Sequence, residues 1–381
     1  MTPGAYDAVV VGGGPGGFGA ATWLARYRAR VLLVDGGEQR NRWVDRSHGY
    51  LGDDPVTPRD LLGRAGRQLA AYPEVEQRAA QVRHCARRPD AMFAVTLDTD
   101  AEVVAARLVL ATGVEDAFPE VAGFFEHYGA GVFHCPTCDG YETQGRDVVA
   151  LGWSAEVTGF ALSLLGWAAS VTVVTDGRRF EGDDGQRAEL ARAGVAVLED
   201  DATELLGTRG DLRALRLRRM GELPCQVAFF SIAHRPRTAL ARQLRCVLTP
   251  EGYIEVDAEA ATSVPGVYAA GDVTPGLHLV QVAAAKGAIA GVACARSLRG
   301  EGADPDGWQD RLPGYSSAMT EPNRPAMVPD AGRLDELETE IDEIRGRVDD
   351  PLGQGDAHFI DGGQPADDRT DDLVAPPDPE A

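Results

Sequence analysis

Short apolar runs recur through the first 270 residues and alternate with stretches of helical composition. Continuous apolar runs are typical of parallel strands that are buried on both faces. Helix-like segments follow the first run, at 18–27, and precede the fifth, at 159–169. The pattern predicts an α/β fold with two three-layered, Rossmann-like nucleotide-binding domains. The runs cover residues 7–11, 31–34, 108–110, 147–151, 171–174 and 267–269.

The order of these runs predicts a discontinuous first domain, at 1–118 and 248–300, with a second domain, at 119–247, inserted in it. A Thr-Pro-Glu-Gly turn at 249–252 marks the expected return of the chain. Alternating runs at 195–198 and 212–217 predict short strands of a β-meander, and 229–232 predicts a closing buried strand.

After Gly300 the composition changes to Pro, Gly, Asp and Glu, which predicts a largely disordered acidic tail at 301–381. This tail holds 22 Asp and Glu against six Arg, so it carries most of the net charge of −22. Apolar residues at steps of three and four predict a short amphipathic helix near 333–348, which either docks on its own core or binds an unidentified partner.

Glycines in a fixed pattern follow the first predicted strand. The G-x-G-x-x-G pattern falls on Gly12, Gly14 and Gly17, with Pro15 inside it. Such glycines permit a tight turn, close approach of a pyrophosphate and packing of the next helix. Asp35 ends the next strand, where an acid is needed to bind ribose hydroxyls. These residues predict a dinucleotide site.

Two further strand ends indicate that the dinucleotide is FAD. The run at 108–110 ends in Ala111, Thr112 and Gly113, a turn that closes the first half of flavin domains. The run at 267–269 leads to Gly271 and Asp272, whose carboxylate is placed to hold the ribityl chain. We therefore expect FAD as the cofactor, bound in part by Thr112, Gly113 and Asp272.

A pair of cysteines, Cys135 and Cys138, shares the chain with this flavin pattern, and Asp139 follows directly. Cysteines two residues apart can close a small disulfide ring and hold thiolates of different pKa. A dithiol beside a flavin indicates two-electron exchange between the ring and a disulfide, which predicts a flavoprotein disulfide oxidoreductase.

The order of these motifs over residues 5–300 resembles the low-molecular-weight thioredoxin reductase family, a branch of the pyridine nucleotide-disulfide oxidoreductases. The resemblance implies that Cys138 meets the flavin, that Cys135 attacks a protein or small-molecule disulfide, and that Asp139 serves as acid and base. It also implies a homodimer, and a domain rotation that alternates the partners of the cysteine pair.

The second nucleotide fingerprint departs from the family. Only Gly152 of its glycines is present, because Ser154 and Val157 occupy the other two positions. Glu156 brings a negative charge to the start of the helix, where it competes with a phosphate. Asp176 stands where the family has a clamp for the 2′-phosphate of NADPH.

Two interpretations of NAD(P)H use stay open. In one, the second domain still binds NADPH or NADH weakly, assisted by Arg178 and Arg179. In the other, it has lost the nicotinamide cofactor, as in relatives that are ferredoxin-linked reductases or dithiol oxidases that pass electrons to oxygen. The segment Gln39-Arg40-Asn41 resembles the oxidase branch, whereas Asp139 resembles the reductases.

The composition of the chain argues against several other classes of protein and of binding partner. The six cysteines include one closely spaced pair, which is not the pattern of a secreted disulfide framework, and we expect the other four to be buried. An acidic chain argues against nucleic acid and anionic membranes as partners. No apolar run is long enough to span a bilayer, and we expect a cytoplasmic enzyme. His134 beside the cysteine pair lacks the further ligands that zinc needs, so no metal is expected.

Overall fold

The first sheet has seven strands, and the computed structural model describes it within residues 5–300. Its order is β3-β2-β1-β6-β5-β4, with the β3-β2-β1-β6 pairs parallel and the last strand (β17) parallel to β6. The bounds are β1 Tyr6–Val11, β2 Val31–Asp35, β3 Val75–Ala79, β4 Val82–Arg87, β5 Phe93–Leu97, β6 Glu102–Leu110 and β17 Val267–Ala269.

Helices cover this sheet, and two of them pack on each other: α1 (Pro15–Arg26) and α8 (Val280–Leu298). The predicted start of α1, at residue 18, is three residues late. The helix begins at Pro15 because the fixed φ of proline and its missing N–H suit the first helical position. Helices α2 (Pro58–Leu69) and α7 (Ala239–Gln243) complete the set in this half.

The second sheet is wholly parallel and has the order β11-β10-β9-β15-β8. Together the two sheets confirm the predicted pair of Rossmann-like folds. The strands are β8 Val132–Phe133, β9 Asp147–Leu151, β10 Ser170–Val174, β11 Ala196–Leu198 and β15 Val227–Phe230. Four helices lie in this half: α3 Phe124–His127, α4 Pro136–Asp139, α5 Val157–Leu164 and α6 Asp184–Arg192.

A three-stranded antiparallel sheet packs on one face of the second sheet and forms the predicted meander. Its strands are β12 Ala202–Thr208, β13 Asp211–Leu217 and β14 Gly221–Pro224. The prediction that 195–198 belongs to the meander is wrong. That segment is β11, a parallel edge strand, because α6 precedes it and a strand–helix–strand connection returns the chain in parallel.

Two short antiparallel strands connect the sheets: β7 (Val114–Ala117) leaves the first half and β16 (Ala233–Pro236) returns. The residues described form one compact unit. The predicted domain limits, at 1–118 with 248–300 and at 119–247, stay a prediction. The predicted tail at 301–381 and its helix near 333–348 lie outside the described residues.

A close backbone contact joins the two halves where Gly129 meets the segment after Trp43. Gly129 has a φ of +83°, and a Cβ on it would lie 2.2 Å from the Trp43 carbonyl oxygen. The Asp45 N–H donates to the Gly129 carbonyl at 3.0 Å. Arg209 donates to the carbonyls of Tyr128 and Trp43 and pairs with Asp45. Only glycine satisfies both this approach and this φ.

We expect Gly129→Ala to lower the free energy of unfolding by about 2–3 kcal/mol, because it adds a backbone clash to the strain of a left-handed residue. Gly145→Ala is the matched control. Its φ is +70° and a Cβ there meets nothing within 4 Å, so it should cost only about 1 kcal/mol. Urea unfolding of both variants measures the difference, and equal losses would contradict a packing role for Gly129.

Candidate active site

One cavity of about 1250 Å³ lies along the carboxyl-terminal edge of the first sheet and extends to the cysteine pair. The strand ends of β1, β2 and β6 open into it. Of the residues predicted to bind FAD, the cavity lining includes Gly12, Gly14, Pro15, Asp35, Thr112, Gly113 and Asp272. Carboxyl ends of parallel strands are where nucleotides bind in such sheets.

The glycine turn has the geometry that a pyrophosphate requires. Gly12 has a φ of +111°, and a Cβ on it would lie 2.2 Å from the Ala111 carbonyl oxygen. A Cβ on Gly14 would meet nothing within 4 Å, so the backbone there faces open space at the start of α1. A Cβ on Gly17 would lie 1.8 Å from the Gly12 oxygen, so Gly17 lets the helix pack on the turn. The N–H groups of α1 are thereby available to a phosphate.

Asp35 lies at the end of β2, and both of its carboxylate oxygens accept from Gln39 Nε2, at 3.0 and 2.9 Å. The Gly37 N–H also donates to it, at 2.9 Å. These bonds orient the carboxylate at the cavity edge. Gln39 therefore belongs to the site, and sequence reasoning had assigned it no contact.

Thr112 and Gly113 form hydrogen bonds with Arg237, in the segment where the chain returns to the first half of the molecule. The Thr112 hydroxyl donates to the Arg237 carbonyl at 2.7 Å, and the Arg237 N–H donates to the Gly113 carbonyl at 2.9 Å. The turn after β6 is thus tied to the residue that follows β16. In this structure Thr112 shapes the cavity wall through a protein contact.

Asp272 gives the clearest indication of the kind of group that the cavity binds. Its Oδ1 is buried and has no hydrogen-bond partner within residues 5–300. A buried acceptor left unpaired costs free energy, so such an atom in a cavity indicates a donor that binds there. The ribityl hydroxyls of FAD are donors of this kind, so the residues present fit the cofactor.

The cysteine pair forms a closed disulfide, with the two Cα atoms 5.2 Å apart. Strand β8 leads into the pair, and α4 places Cys138 in its first turn. Cys138 lies in the cavity lining, together with Asp139, whereas Cys135 is not part of the lining. The two sulfurs therefore have different neighbours, and Cys138 is the one that faces the cavity.

Asp139 is buried, with 6% of its surface exposed. Burial, reinforced by the charge of Glu142, raises the pKa of Asp139 to about 7. A carboxyl group with such a pKa can both donate and accept a proton near neutral pH. Asp139 follows Cys138 directly in the chain and lines the same cavity, where a thiolate needs a proton.

His134 precedes the pair and contacts Tyr128, whose hydroxyl lies 3.0 Å from His134 Nδ1. Burial, followed by the charge of Arg40, lowers the pKa of His134 to about 4. The ring is therefore neutral at pH 7. Within residues 5–300 no cluster of three metal-ligating side chains is found.

The second glycine turn is filled by protein side chains. Val157 is fully buried at the start of α5, and the Ser154 hydroxyl is buried without a partner in the described residues. The Arg178 guanidinium lies over the Trp153 ring, 3.9 Å from its centroid. Asp176 is turned inward, since its Oδ1 accepts from the Ala202 N–H at 3.1 Å.

The four remaining cysteines are buried, as expected from the sequence: Cys85, Cys225, Cys246 and Cys294. Burial raises the pKa of Cys85, Cys225 and Cys294 to about 12, so these thiols stay protonated.

None of the helices within residues 5–300 combines the length and the apolar composition that a membrane span requires.

A dinucleotide cavity that contains one sulfur of a disulfide defines a flavin-dependent disulfide oxidoreductase. The family model for pyridine nucleotide-disulphide oxidoreductases matches residues 6–287. The chain belongs to that family and is thioredoxin reductase-like.

Individual relatives agree with this membership. A thioredoxin reductase of Treponema pallidum is 30% identical over 76% of this chain and 96% of that protein. A "Probable thioredoxin reductase" of Arthroderma benhamiae is 36% identical, but over 39% of this chain and 38% of that protein. The crystal structure of an oxidoreductase from Agrobacterium tumefaciens is 34% identical, with a TM-score of 0.70, over 77% of this chain and 99% of that one.

We expect Asp139→Asn to raise the stability of the protein at pH 8 by on the order of 4 kcal/mol, with little effect at pH 4. The folded-state pKa of Asp139, about 7, exceeds its unfolded value. The burial penalty therefore grows as the pH rises towards 7, and it is absent where both states are protonated. Thermal unfolding at several pH values measures this effect, and a stability gain independent of pH would contradict it.

Proposed function

We propose that Gly12, Gly14, Gly17, Asp35 and Asp272 hold FAD, and that Cys135 and Cys138 are its redox partner. The observation that carries the proposal is that Cys138 lines the same cavity as the glycine turn and Asp272. FAD, when bound, exchanges two electrons with the cysteine pair. The substrate is a protein or small-molecule disulfide or dithiol.

The chain's own residues divide the reaction between them. Cys135, which is half-buried and outside the cavity lining, is the sulfur available for exchange with the substrate. Oxidation of a substrate dithiol breaks the Cys135–Cys138 bond and forms the substrate disulfide, leaving two thiols on the protein. Reduction of a substrate disulfide runs the same exchange backwards. Asp139 holds or releases the proton of Cys138 in either direction.

We expect Cys138→Ser to retain FAD and to slow the reduction of the bound flavin by dithiothreitol at least a hundredfold. The cofactor contacts are untouched, but the sulfur that faces the cavity is gone. Cys246→Ser is the control, because it removes a buried thiol whose partner is Thr262, in a different part of the structure. Anaerobic stopped-flow absorbance measures both, and undiminished reduction in Cys138→Ser would refute the assignment.

Two observations at the second glycine turn favour a dithiol oxidase, or a ferredoxin-linked reductase, over an NADPH-dependent thioredoxin reductase. Arg178 stacks on Trp153 beside the second glycine turn, and Glu156 stands at the N-cap of α5. A nucleotide would have to displace this stacked pair and accept the negative charge at the helix start. In an oxidase, electrons leave the flavin for oxygen and the second site is not needed.

We expect NADPH to bind roughly a hundredfold more weakly than in relatives with a complete second fingerprint. Ser154, Glu156 and Asp176 each oppose binding by about 1 kcal/mol, and the three effects accumulate. NADH should be preferred to NADPH, because Asp176 suits a free ribose hydroxyl better than a phosphate. Anaerobic titration followed by flavin absorbance measures this preference.

The double variant Ser154→Gly/Glu156→Gln is the matched test of this interpretation, since it removes one side chain and one charge from the turn. It should tighten nucleotide binding. Rapid flavin reduction by micromolar NADPH in the wild type would show that the changes in the second fingerprint do not impair NADPH binding. The protein would then be an NADPH-dependent reductase.

The homodimer and the cytoplasmic location stay predictions.

A further inference from the structure

Arg40 lies at the centre of a charged cluster beside the flavin cavity. Its guanidinium is 17% exposed and forms a two-point ion pair with Asp116 of β7. Nε donates to one Asp116 oxygen at 2.9 Å and Nη2 to the other at 2.6 Å. These bonds hold the planar guanidinium in one orientation, with Nη1 directed elsewhere.

The remaining nitrogen faces the cavity residues that lack partners. Arg40 Nη1 lies 3.9 Å from Asp272 Oδ2 and 3.5 Å from His278 Nδ1. Asp272 Oδ1 and His278 Nε2 are both buried, and neither finds a hydrogen-bond partner in the part of the chain that the structure describes. Arg40, Asp272 and His278 all line the cavity.

Resting on the proposed FAD site, we propose that Arg40 is a positioning residue that keeps the Asp272 carboxylate ionised and oriented as the acceptor for the ribityl hydroxyls of FAD. The ion pair with Asp116 fixes Arg40, and Arg40 in turn fixes Asp272. A carboxylate that is buried beside a fixed cation accepts hydrogen bonds more strongly than a protonated carboxyl group does.

The other groups around Asp272 do not replace Arg40. Lys286 of α8 donates to the carbonyls of Thr274 and Pro275, at 3.4 and 2.7 Å. Asp116 carries the same charge as Asp272 and opposes its ionisation. Burial, together with Arg40, lowers the pKa of His278 to about 4, so that ring is neutral at pH 7.

Tyr253 also faces this cluster, and its raised pKa keeps it uncharged. Burial raises the pKa of Asp272 itself, while Arg40 and then Lys286 oppose that rise. Burial already outweighs Arg40 in this balance, so without Arg40 the Asp272 carboxyl group binds a proton at a still higher pH.

The experiment measures FAD release from the full-length flavoprotein on serial dilution, by the fluorescence of the free flavin, at pH 6 and pH 8. We expect Arg40→Gln to bind FAD about tenfold more weakly at pH 8, and more weakly again at pH 6, because a larger fraction of Asp272 is protonated at the lower pH. Arg40→Lys should recover part of the affinity at both pH values. Arg42→Gln is the matched control, since Arg42 lies in the same turn and donates to the Gln39 carbonyl outside the cluster.

Two double variants separate positioning from folding. Arg40→Gln/Asp116→Asn removes both charges of the ion pair and avoids an unpaired buried carboxylate. It should also lose FAD affinity, but less than Arg40→Gln, because the like charge of Asp116 no longer opposes the ionisation of Asp272. In an Asp272→Asn background, Arg40→Gln should have no further effect and the pH dependence should vanish. A full additional loss in that background would overturn the proposal, since Arg40 would then act by another route.

Flavin retention by Arg40→Gln equal to that of Arg42→Gln would also overturn it. A wild-type protein that purifies without flavin and takes up none is a different result, because it contradicts the proposed FAD site itself. The two failures are therefore distinguishable.

Discussion

The contact between Gly129 and the segment that follows Trp43 determines where the disulfide lies. Gly129 leads through β8 to the cysteine pair, so its position sets that of Cys138. The bond from Asp45 and the four donations from Arg209 hold this segment against the first half of the molecule. The sulfur thereby lines a cavity that is built mostly from the strand ends and loops of the first sheet.

Burial also shifts the pKa values of the titratable side chains in the site. It raises the pKa of Asp139 and Asp272 and lowers that of His134, each towards the uncharged form. The two acids are treated differently by their surroundings. At Asp139 the charge of Glu142 adds to the effect of burial, and the resulting pKa of about 7 suits proton transfer. At Asp272 the fixed guanidinium of Arg40 opposes the effect of burial, which suits a carboxylate that accepts hydrogen bonds.

The second sheet shows how a nucleotide-type fold can persist while its ligand site changes. The parallel strands and Val157 remain in one apolar core, so the sheet needs no nucleotide to be stable. The turn between β9 and α5 contributes little to that core. The side chains of Ser154 and Glu156 at this turn are therefore compatible with the fold. The Arg178 guanidinium stacks on the Trp153 ring beside the turn.

Local patterns were sufficient to determine the most apolar strands of the two parallel sheets, the glycine turn, the cysteine pair and the order of the two folds. Each of these depends on residues that are neighbours in the chain, such as Gly12 and Gly17 or Cys135 and Cys138. The tertiary structure alone decided which sulfur faces the cavity, that β11 is a parallel edge strand, and that Arg40 joins Asp116 to Asp272. The two contacts of Arg40 connect residues 76 and 232 positions apart. Burial and distance across elements are properties of packing, and a single sequence carries no local signal for them.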